Sequence, residues 1–490
     1  MSPSAHLSKT LYMRGLQCLK SLWLDRRQPE VRREPPPDLI ARWEAGTEVG
    51  LYAQQLFPGG VEVPFNGRTK VQQLSATRDL LAKGAQTIYE ATFSSEGVLV
   101  RADILRKTRD GWELYEVKSA VGVKPHFPDD VAIQYFVLSG CQFDLRRAFL
   151  VHIDTGYVRR GEIVPQELFA VQEVTDIVRG KQSAIPAEIA RMREVLAAGL
   201  PAIDIGPHCT NPYECDFIDH CWRHIPEHSV FDLSGRGVDK WDLYRKGIMR
   251  MDDVPLDALN SAQRMQAEFH RKRREHADPD AIREFLDGLH YPICFLDFET
   301  YDSPIPPFDG TRPYQQIPFL YSLHRQDSPG GFLRHSEFLA PLGQDPRDDL
   351  TERLLTAIPE DACVLAYNKT FEARVLKDLA ERFPAHRERL LAIAEGMLDL
   401  MVPFRRRDIY HWRMGGSYSL KSVLPVLVPQ LSYEGMAIQE GKEASLAYLA
   451  LDKIEGRKER EKAEEDLRAY CRQDTLGMVK LLEKMRELAK

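Results

Sequence analysis

Long apolar runs are missing from this sequence. No stretch approaches the roughly 20 consecutive apolar residues of a membrane-spanning helix. The region from Met1 to Lys20 does not combine a charged start with an apolar run, which a secretory leader would need. Because both features are missing, the sequence predicts a soluble cytoplasmic protein without a membrane partner.

A large excess of positive charge is also missing. The chain has 66 lysine and arginine residues against 73 aspartate and glutamate residues, which gives a net charge of -7. This balance excludes a polycation that coats nucleic acid over its whole surface. Binding of nucleic acid would need a local basic surface, for which Arg405–Arg407 and Lys421 are candidates, although an exposed solubilising patch explains them equally well.

The chain contains no G-x-x-x-x-G-K-[ST] sequence, so an ATP-driven helicase activity would have to come from a partner. What is present is an ordinary globular composition, with 43% hydrophobic and 28% charged residues. These proportions exclude wholesale disorder, collagen and coiled coil. A chain of 490 residues is too long for one ordinary core, so two or three domains are expected.

The eight cysteines are not expected to form a disulfide framework, because the cytoplasm keeps thiols reduced. Cys209, Cys215 and Cys221 form a C-x5-C-x5-C run, and Cys18 is a plausible fourth ligand. Four thiolates suit an iron–sulfur cluster or a structural zinc ion. Zinc stays open because histidines lie beside the cysteines at 208, 220 and 224. The remaining cysteines are interpreted as buried, inert thiols: Cys141, Cys294, Cys363 and Cys471.

Three adjacent strands are predicted at 88–93, 98–105 and 112–118, joined by hairpin loops. Side chains alternate along a strand, so Glu116 and Lys118 project to the same side, which Asp103 can also reach. Gln134 follows in an apolar helical stretch and could point back to this group. Such a group would bind a divalent cation and a hydrolytic water. The alternative is an exposed Glu-x-Lys pair on an ordinary sheet.

The order of Glu90, Asp103, Glu116-Val-Lys118 and Gln134, framed by one cysteine upstream and three downstream, resembles the RecB-type nucleases of the PD-(D/E)xK superfamily. The similarity is greatest to the iron–sulfur branch with AddB and the CRISPR-associated RecB-like exonucleases. The resemblance implies a restriction-endonuclease-like domain over residues 1–225. It implies Mg²⁺ or Mn²⁺ ligands at Asp103 and Glu116, with Glu90 as an additional candidate, and a catalytic role for Lys118 and Gln134. The four cysteines would hold a [4Fe-4S] cluster, with zinc as the alternative.

A second acidic pattern begins after a charged, helical connector at 226–290. The predicted strand 295–300 places Asp297 and Glu299 on one face, and buried carboxylates call for a compensating cation. Glu372 follows a predicted strand-to-helix turn. Tyr470 and Asp474, four residues apart, share one face of a predicted helix.

These three motifs, D-x-E, N-x-x-F-(D/E) and Y-x-x-x-D, resemble the DnaQ-like DEDD exonucleases, which have an RNase H-like fold. The resemblance implies an α/β exonuclease domain over 291–490. Its metal ligands would be Asp297, Glu299, Glu372 and Asp474, and Tyr470 would orient the water. Glu372 stands where that group normally has aspartate, and Asp399 is a candidate for a further acid.

Together the resemblances imply an α/β protein with two Mg²⁺- or Mn²⁺-dependent nuclease sites that act as exonucleases on single-stranded DNA or DNA ends. The alternative is a nucleic-acid-binding scaffold in which one or both sites have decayed. Three departures favour decay: Gly46–Gly50 has no histidine in the expected G-x-x-x-H, Leu138 replaces a tyrosine, and Glu372 replaces an aspartate. The sequence does not choose between DNA and RNA, and it does not identify a helicase or defence-system partner.

Overall fold

The computed structural model describes residues 6–490 and forms a mixed α/β protein with several sheets. The chain divides into two compact units. Unit 1 contains the described residues up to His224 together with Ser303–Gln315, and unit 2 contains Ile225–Asp302 and Gln316–Lys490. The predicted domain of residues 1–225 starts with five residues outside the described range, and residues 226–290 fall within unit 2.

Unit 1 contains one seven-stranded sheet in the order β2-β3-β4-β5-β6-β7, with β1 pairing to β4. The pairs β2–β3, β5–β6 and β1–β4 are parallel, and the others are antiparallel. The three strands predicted between 88 and 118 are confirmed as β3, β4 and β5. The strands are β1 Leu7–Ser8, β2 Val61–Glu62, β3 Thr87–Ser95, β4 Val98–Thr108, β5 Gly111–Val121, β6 Leu145–Ile153 and β7 Phe169–Glu173.

Helices cover both faces of this sheet. One apolar cluster includes residues of α1, α2, α5 and α8, and another includes Val49 and Ala53 of α3 with Tyr115 of the sheet. Local signals agree with the helix ends: Thr69 and Gln72 form a capping box at the start of α4. The helices are α1 Lys9–Gln17, α2 Leu19–Arg27, α3 Pro37–Gln54, α4 Lys70–Ala82, α5 Phe127–Gly140, α6 Pro165–Leu168, α7 Thr175–Lys181, α8 Ile185–Ala197 and α9 Ile218–Trp222.

Unit 2 contains a five-stranded sheet in the order β11-β10-β9-β12-β13 and a small two-stranded sheet of β8 and β14. The predicted strand at 295–300 is confirmed within β9, which is antiparallel to β10 and parallel to β12. Almost every residue of β9 is buried, as expected for a central strand covered on both faces. The strands are β8 Glu275–Ala277, β9 Ile293–Tyr301, β10 Ile317–Gln326, β11 Leu333–Leu339, β12 Cys363–Ala366, β13 Leu398–Asp399 and β14 Ile409–His411.

The longest helix of unit 2, α19, packs against β9, β10 and β11 and carries the predicted Y-x-x-x-D pair. Its 32 residues bury a stripe that includes Leu467, Met478 and Leu482. None of the helices in residues 6–490 is long and apolar enough to cross a membrane. The helices of unit 2 are α10 Lys240–Arg245, α11 Ser261–Lys272, α12 Pro279–Asp287, α13 Arg347–Ala357, α14 Thr370–Arg382, α15 Arg387–Gly396, α16 Val402–Arg406, α17 Leu420–Leu427, α18 Gly441–Ala450 and α19 Arg457–Leu488.

Candidate metal centres

The first acidic group lies on β4 and β5 of unit 1. Asp103 Oδ2 accepts a hydrogen bond of 2.7 Å from the backbone N–H of Val117, which brings it beside the strand that carries Glu116. Burial, and then the negative charge of Glu116, raise the pKa of Asp103 to about 8. The structure therefore brings Asp103 and Glu116 together. We call Asp103, Glu116 and the side chains that contact Glu116 the unit 1 acidic centre.

Both carboxylate oxygens of Glu116 have polar partners although its side chain is only 2% exposed. Its Oε1 accepts from the Lys118 ammonium at 2.7 Å, and its Oε2 accepts from the Gln134 amide at 2.6 Å. The predicted position of Gln134 is therefore confirmed. The Gln134 amide fixes one carboxylate oxygen and leaves Lys118 to contact the other.

Two residues of this centre were missed by the sequence reasoning. Lys9, the first residue of α1, donates to Glu116 Oε1 at 2.8 Å and forms an ion pair with Asp130 Oδ1 at 3.2 Å. Asp130, on α5, also accepts a short hydrogen bond from Lys118. Burial alone would lower the pKa of Lys9, but Asp130 and Glu116 raise it above its usual value. The site thus holds both lysines as cations among three carboxyl groups.

Glu90 stands at the edge of this group. It has a positive φ of 57° and interrupts the β3–β4 ladder opposite Asp103. Its carboxylate forms an ion pair of 2.7 Å with Arg101. Burial raises the pKa of Glu90, Arg101 opposes that shift, and the charge of Glu116 adds to it. The metal role of Glu90 stays a prediction, because Arg101 already neutralises this carboxylate.

The four cysteines predicted as ligands line one cavity of unit 1. Cys18 is extended, with φ −159°, and separates α1 from α2, while Cys221 lies on α9. The Sγ atoms of Cys18 and Cys209 accept hydrogen bonds of 3.5 Å from the backbone N–H groups of Ser21 and Gly206. Such N–H groups stabilise thiolates. The cysteine cavity is lined by Cys18, Lys20, Ser21, Ile203, Asp204, Ile205, His208, Cys209, Cys215, Phe217, Ile218 and Cys221.

Polar contacts hold the cysteine run against α1. The Arg14 guanidinium donates to Asp216 at 2.6 Å, and the Gln17 amide donates to the carbonyl oxygens of His208 and Tyr213. Burial raises the pKa of the Cys18 and Cys221 thiols. Binding of a metal would therefore have to displace thiol protons, which makes its affinity dependent on pH.

The second acidic group lies between β9 and α19 of unit 2. One carboxylate oxygen each from Asp297 and Glu299, together with the sulfur atom of Cys471, lie within 4.8 Å of one another. Asp474 follows Cys471 after one helical turn and is also buried. Burial, and then the charge of Asp474, raise the pKa values of Asp297 and Glu299 well above their usual range. We call these side chains, with Glu372, the unit 2 acidic centre.

Glu372 reaches this centre from α14. Its side chain is 3% exposed, and its Oε2 has no hydrogen-bond partner among residues 6–490. Burial, and then the charges of Asp399 and Asp474, raise the pKa of Glu372 to about 8. Asp399 itself accepts from the backbone N–H groups of Asn368 and Met401, both at 3.0 Å. The backbone therefore occupies Asp399, whereas Oε2 of Glu372 has no hydrogen-bond partner among residues 6–490.

Tyr433 binds Asp474 directly, because its hydroxyl donates a short hydrogen bond to Oδ1. Tyr470 lies one helical turn before Asp474 on α19, and its hydroxyl opposes the rise that burial causes in the pKa of that carboxyl group. The Lys421 ammonium lies 5.2 Å from the centroid of the Tyr470 ring, and its charge opposes the rise in the pKa of Glu299. The sequence pointed to Tyr470 through the Y-x-x-x-D spacing. Tyr433 was missed, because no local pattern links it to Asp474.

The interpretation of the isolated cysteines needs correction at two positions. Cys141 is exposed, because it follows α5 at the surface. Cys471 is buried, but its sulfur lies 3.3 Å from Asp297 Oδ2 and so faces acids instead of apolar side chains. Both neighbourhoods depend on tertiary packing, which the apolar residues next to these cysteines in the sequence do not reveal.

A family model matches a range of unit 2 that contains part of the unit 2 acidic centre. Residues 294–419 match a family model described as Domain of unknown function (DUF2779). The matched range contains Asp297, Glu299 and Glu372, and it ends before Tyr470 and Asp474. No match was found among curated proteins.

The acids of unit 2 predict a pH dependence of stability in the metal-free protein. A buried acid with a raised pKa stabilises the fold while protonated, and this contribution is lost as the pH rises through its folded-state pKa. For Glu372 the window runs from its ordinary value of 4.5 to about 8. In EDTA, the free energy of unfolding of unit 2 is expected to fall by on the order of 3 kcal/mol between pH 5 and pH 8.

Calorimetric melting at several pH values measures this loss. Glu372→Gln should reduce the pH dependence without abolishing it, because the raised pKa values of Asp297 and Glu299 remain. Glu381→Gln, at an exposed position of the same helix, should retain the wild-type pH dependence. An equal slope for wild type and Glu372→Gln would contradict the assignment.

Proposed function

We propose that the protein is a metal-dependent nuclease that hydrolyses phosphodiester bonds at two sites, one in each unit. The observation that carries this proposal is the convergence of carboxylates from distant parts of the chain into two buried groups. Burying like charges together is expensive unless cations compensate them. In the unit 2 acidic centre, Glu372 Oε2 has no protein partner within the described range, so the donor set suits bound cations.

In unit 1 we propose a restriction-endonuclease-like fold with a PD-(D/E)xK site. Asp103 and Glu116 would hold Mg²⁺ or Mn²⁺, which supplies charge for the developing phosphorane and lowers the pKa of a bound water. Gln134 orients Glu116 through its 2.6 Å hydrogen bond. Lys118 contacts Glu116 and Asp130 and is positioned to donate to a water or phosphate oxygen beside these acids.

In unit 2 we propose an RNase H-like fold with a DEDD site. Asp297, Glu299, Glu372 and Asp474 would hold two divalent cations, an arrangement that activates water and stabilises the leaving oxygen. Tyr433 hydrogen-bonds Asp474 and so fixes the orientation of that carboxylate, while Tyr470 lies one helical turn before it on α19. Because burial holds the pKa of Tyr470 far above its usual value, its hydroxyl stays protonated and can donate to a water.

The substrate we propose is single-stranded DNA or DNA ends. Arg405 and Arg406, at the end of α16, are exposed and available to phosphate. Arg407 is not part of such a surface, because its guanidinium donates to the carbonyl oxygen of Ala262 and to Ser234 Oγ. The basic run predicted from sequence therefore contributes two free arginine side chains and one structural one.

The cysteine cavity supports a metal centre in unit 1, and we propose a [4Fe-4S] cluster held by Cys18, Cys209, Cys215 and Cys221. The N–H groups that donate to two of the sulfur atoms would stabilise the thiolate form. Zinc remains the rival occupant, since His208 also lines the cavity.

Anaerobically purified protein is therefore expected to be brown and to absorb near ~400 nm. Cys215→Ala should remove the colour, because it deletes one of four ligands. Cys141→Ala, at an exposed cysteine of the same unit, should leave the absorption unchanged. A colourless wild-type protein with one bound zinc ion per chain would assign the cavity to zinc.

A degradation assay tests the nuclease proposal directly. Wild-type protein is incubated with Mn²⁺ and single strands of DNA or RNA labelled at the 5′ or the 3′ end, beside the double variant Lys118→Ala, Asp297→Asn. We expect the wild type to shorten DNA from both ends and the double variant to shorten neither. If the two proteins are equally inactive yet bind the strands, the scaffold alternative is correct. Glu372, which stands in place of an aspartate, would agree with that result.

A further inference from the structure

A thiol lies inside the unit 2 acidic centre. Cys471 is completely buried, and its Sγ is 3.3 Å from Asp297 Oδ2. Cys471 and Asp474 are three residues apart on α19 and therefore share a helix face. The sulfur and one oxygen each of Asp297 and Glu299 lie within 4.8 Å of one another.

A second observation shows that this centre is short of partners. Glu372 is 3% exposed, and its Oε2 has no hydrogen-bond partner within the described chain. The charge of Glu372 acts on both Asp297 and Glu299, so its carboxylate belongs to the same group. Four carboxyl groups and a thiol therefore share a buried site whose polar atoms are not all satisfied.

The mixture of ligand atoms selects among cations. Mg²⁺ takes oxygen ligands, whereas a cysteine sulfur favours Zn²⁺ and other thiophilic ions. With bonds of about 2.3 Å to sulfur and about 2.1 Å to oxygen, a tetrahedral zinc ion needs a sulfur–oxygen separation of about 3.6 Å. The 3.3 Å between Cys471 Sγ and Asp297 Oδ2 is close to that distance.

We propose that Asp297, Glu299 and Cys471 form a binding site for a thiophilic divalent cation such as Zn²⁺, and that an ion held there inhibits the reaction of the same centre. On binding, the thiol of Cys471 releases its proton to solvent, and the thiolate becomes a ligand. The ion then occupies both β9 carboxylates with a sulfur ligand in place of a water. Inhibition by the bound ion rests on the proposed nuclease function, whereas the binding of the ion does not depend on it.

Cobalt binding tests the site without reference to activity. Co²⁺ is titrated into full-length wild type and Cys471→Ser, with the cysteine cavity of unit 1 in the same state in both, and the difference spectrum is recorded. Wild type should show one additional near-ultraviolet sulfur-to-cobalt band. Cys363→Ser, a second buried cysteine of unit 2, should keep that band. Melting curves check that each variant is folded, and Cys471→Ala replaces Cys471→Ser if the serine variant is not.

An inhibition experiment tests whether an ion at this site blocks the reaction of unit 2. Mn²⁺-supported shortening of labelled DNA is measured against added Zn²⁺ in a Lys118→Ala background, so that unit 2 alone is read. The zinc concentration for half inhibition should be at least about tenfold lower for the protein with Cys471 than for Cys471→Ser, because the variant loses the sulfur ligand; a tenfold change corresponds to about 1.4 kcal/mol.

The outcomes separate the two ideas. Identical cobalt spectra for wild type and Cys471→Ser would overturn the thiophilic site. Wild type could show the cobalt band and Cys471→Ser lack it, while neither protein degrades nucleic acid. That result would support the metal site and refute the nuclease function. If the proteins with Cys471 and with Cys471→Ser are both active and equally sensitive to zinc, the proposed inhibition would be overturned.

Discussion

Asp297→Asn is expected to lower Mn²⁺-dependent shortening of single-stranded DNA from one end by about 1000-fold. Asp297 lies in the middle of the unit 2 acidic centre, and its carboxylate is affected by the charges of Asp474, Glu299 and Glu372. Asparagine keeps the shape of the side chain but not its charge, so the variant would bind the cations more weakly. The transition state would then lose several kcal/mol of the stabilisation that these cations supply. The measurement is the initial rate of shortening of 5′- and 3′-labelled strands, compared with wild type.

The control for this variant is Asp361→Asn, an exposed acid of the same unit just before β12. It should retain the wild-type rate from both ends. In EDTA, Asp297→Asn should also melt at a higher temperature than wild type at pH 8, because it removes one of several crowded acids whose ionised forms burial disfavours. A variant that melts higher yet degrades DNA at the wild-type rate from both ends would remove Asp297 from the mechanism.

Lys118→Ala is expected to lower shortening from the opposite end by about 1000-fold, since positioned proton donors and cations contribute on this order. Lys118 contacts both Glu116 and Asp130, and those carboxylates raise its pKa above the usual range against the effect of burial. The ammonium is therefore charged at neutral pH and available to a water or phosphate oxygen. The same labelled strands provide the measurement.

Lys107→Ala, at an exposed position of β4, is the matched control and should not change either rate. Because Lys9 still neutralises Glu116 and Asp130 in Lys118→Ala, the variant should remain folded, and a melting curve verifies this. Loss of shortening from both ends in Lys118→Ala, with unit 2 intact, would show that the two sites do not act independently.

The features that the sequence could predict are those with a short period. Alternation along β9 places Asp297 and Glu299 on one face, and the four-residue spacing of Tyr470 and Asp474 fits one face of α19. The E-x-K on β5 follows the same rule. Each of these depends on the local backbone alone.

The features that it could not predict depend on long-range packing. Lys9 contacts Glu116 across 107 residues, and nothing in the sequence near Lys9 marks it as the partner of a buried acid. Residues 226–290 looked like a connector because they are charged, yet β8 pairs with β14 and a small apolar core forms around Leu243 and Val254. The segment Ser303–Gln315 belongs to unit 1 although both neighbouring strands belong to unit 2.

Helix α1 of unit 1 starts at Lys9, in the acidic centre, and ends just before Cys18, in the cysteine cavity. Nine residues of α-helix span only about 14 Å, so one short helix contributes to the unit 1 acidic centre and to the cysteine cavity. Any fragment that begins after Cys18 would lack an ammonium of one centre and a thiol of the other. Deletions that extend past Cys18 would therefore report the loss of both together, and point substitutions at Lys9 and Cys18 are needed to assign an effect to either.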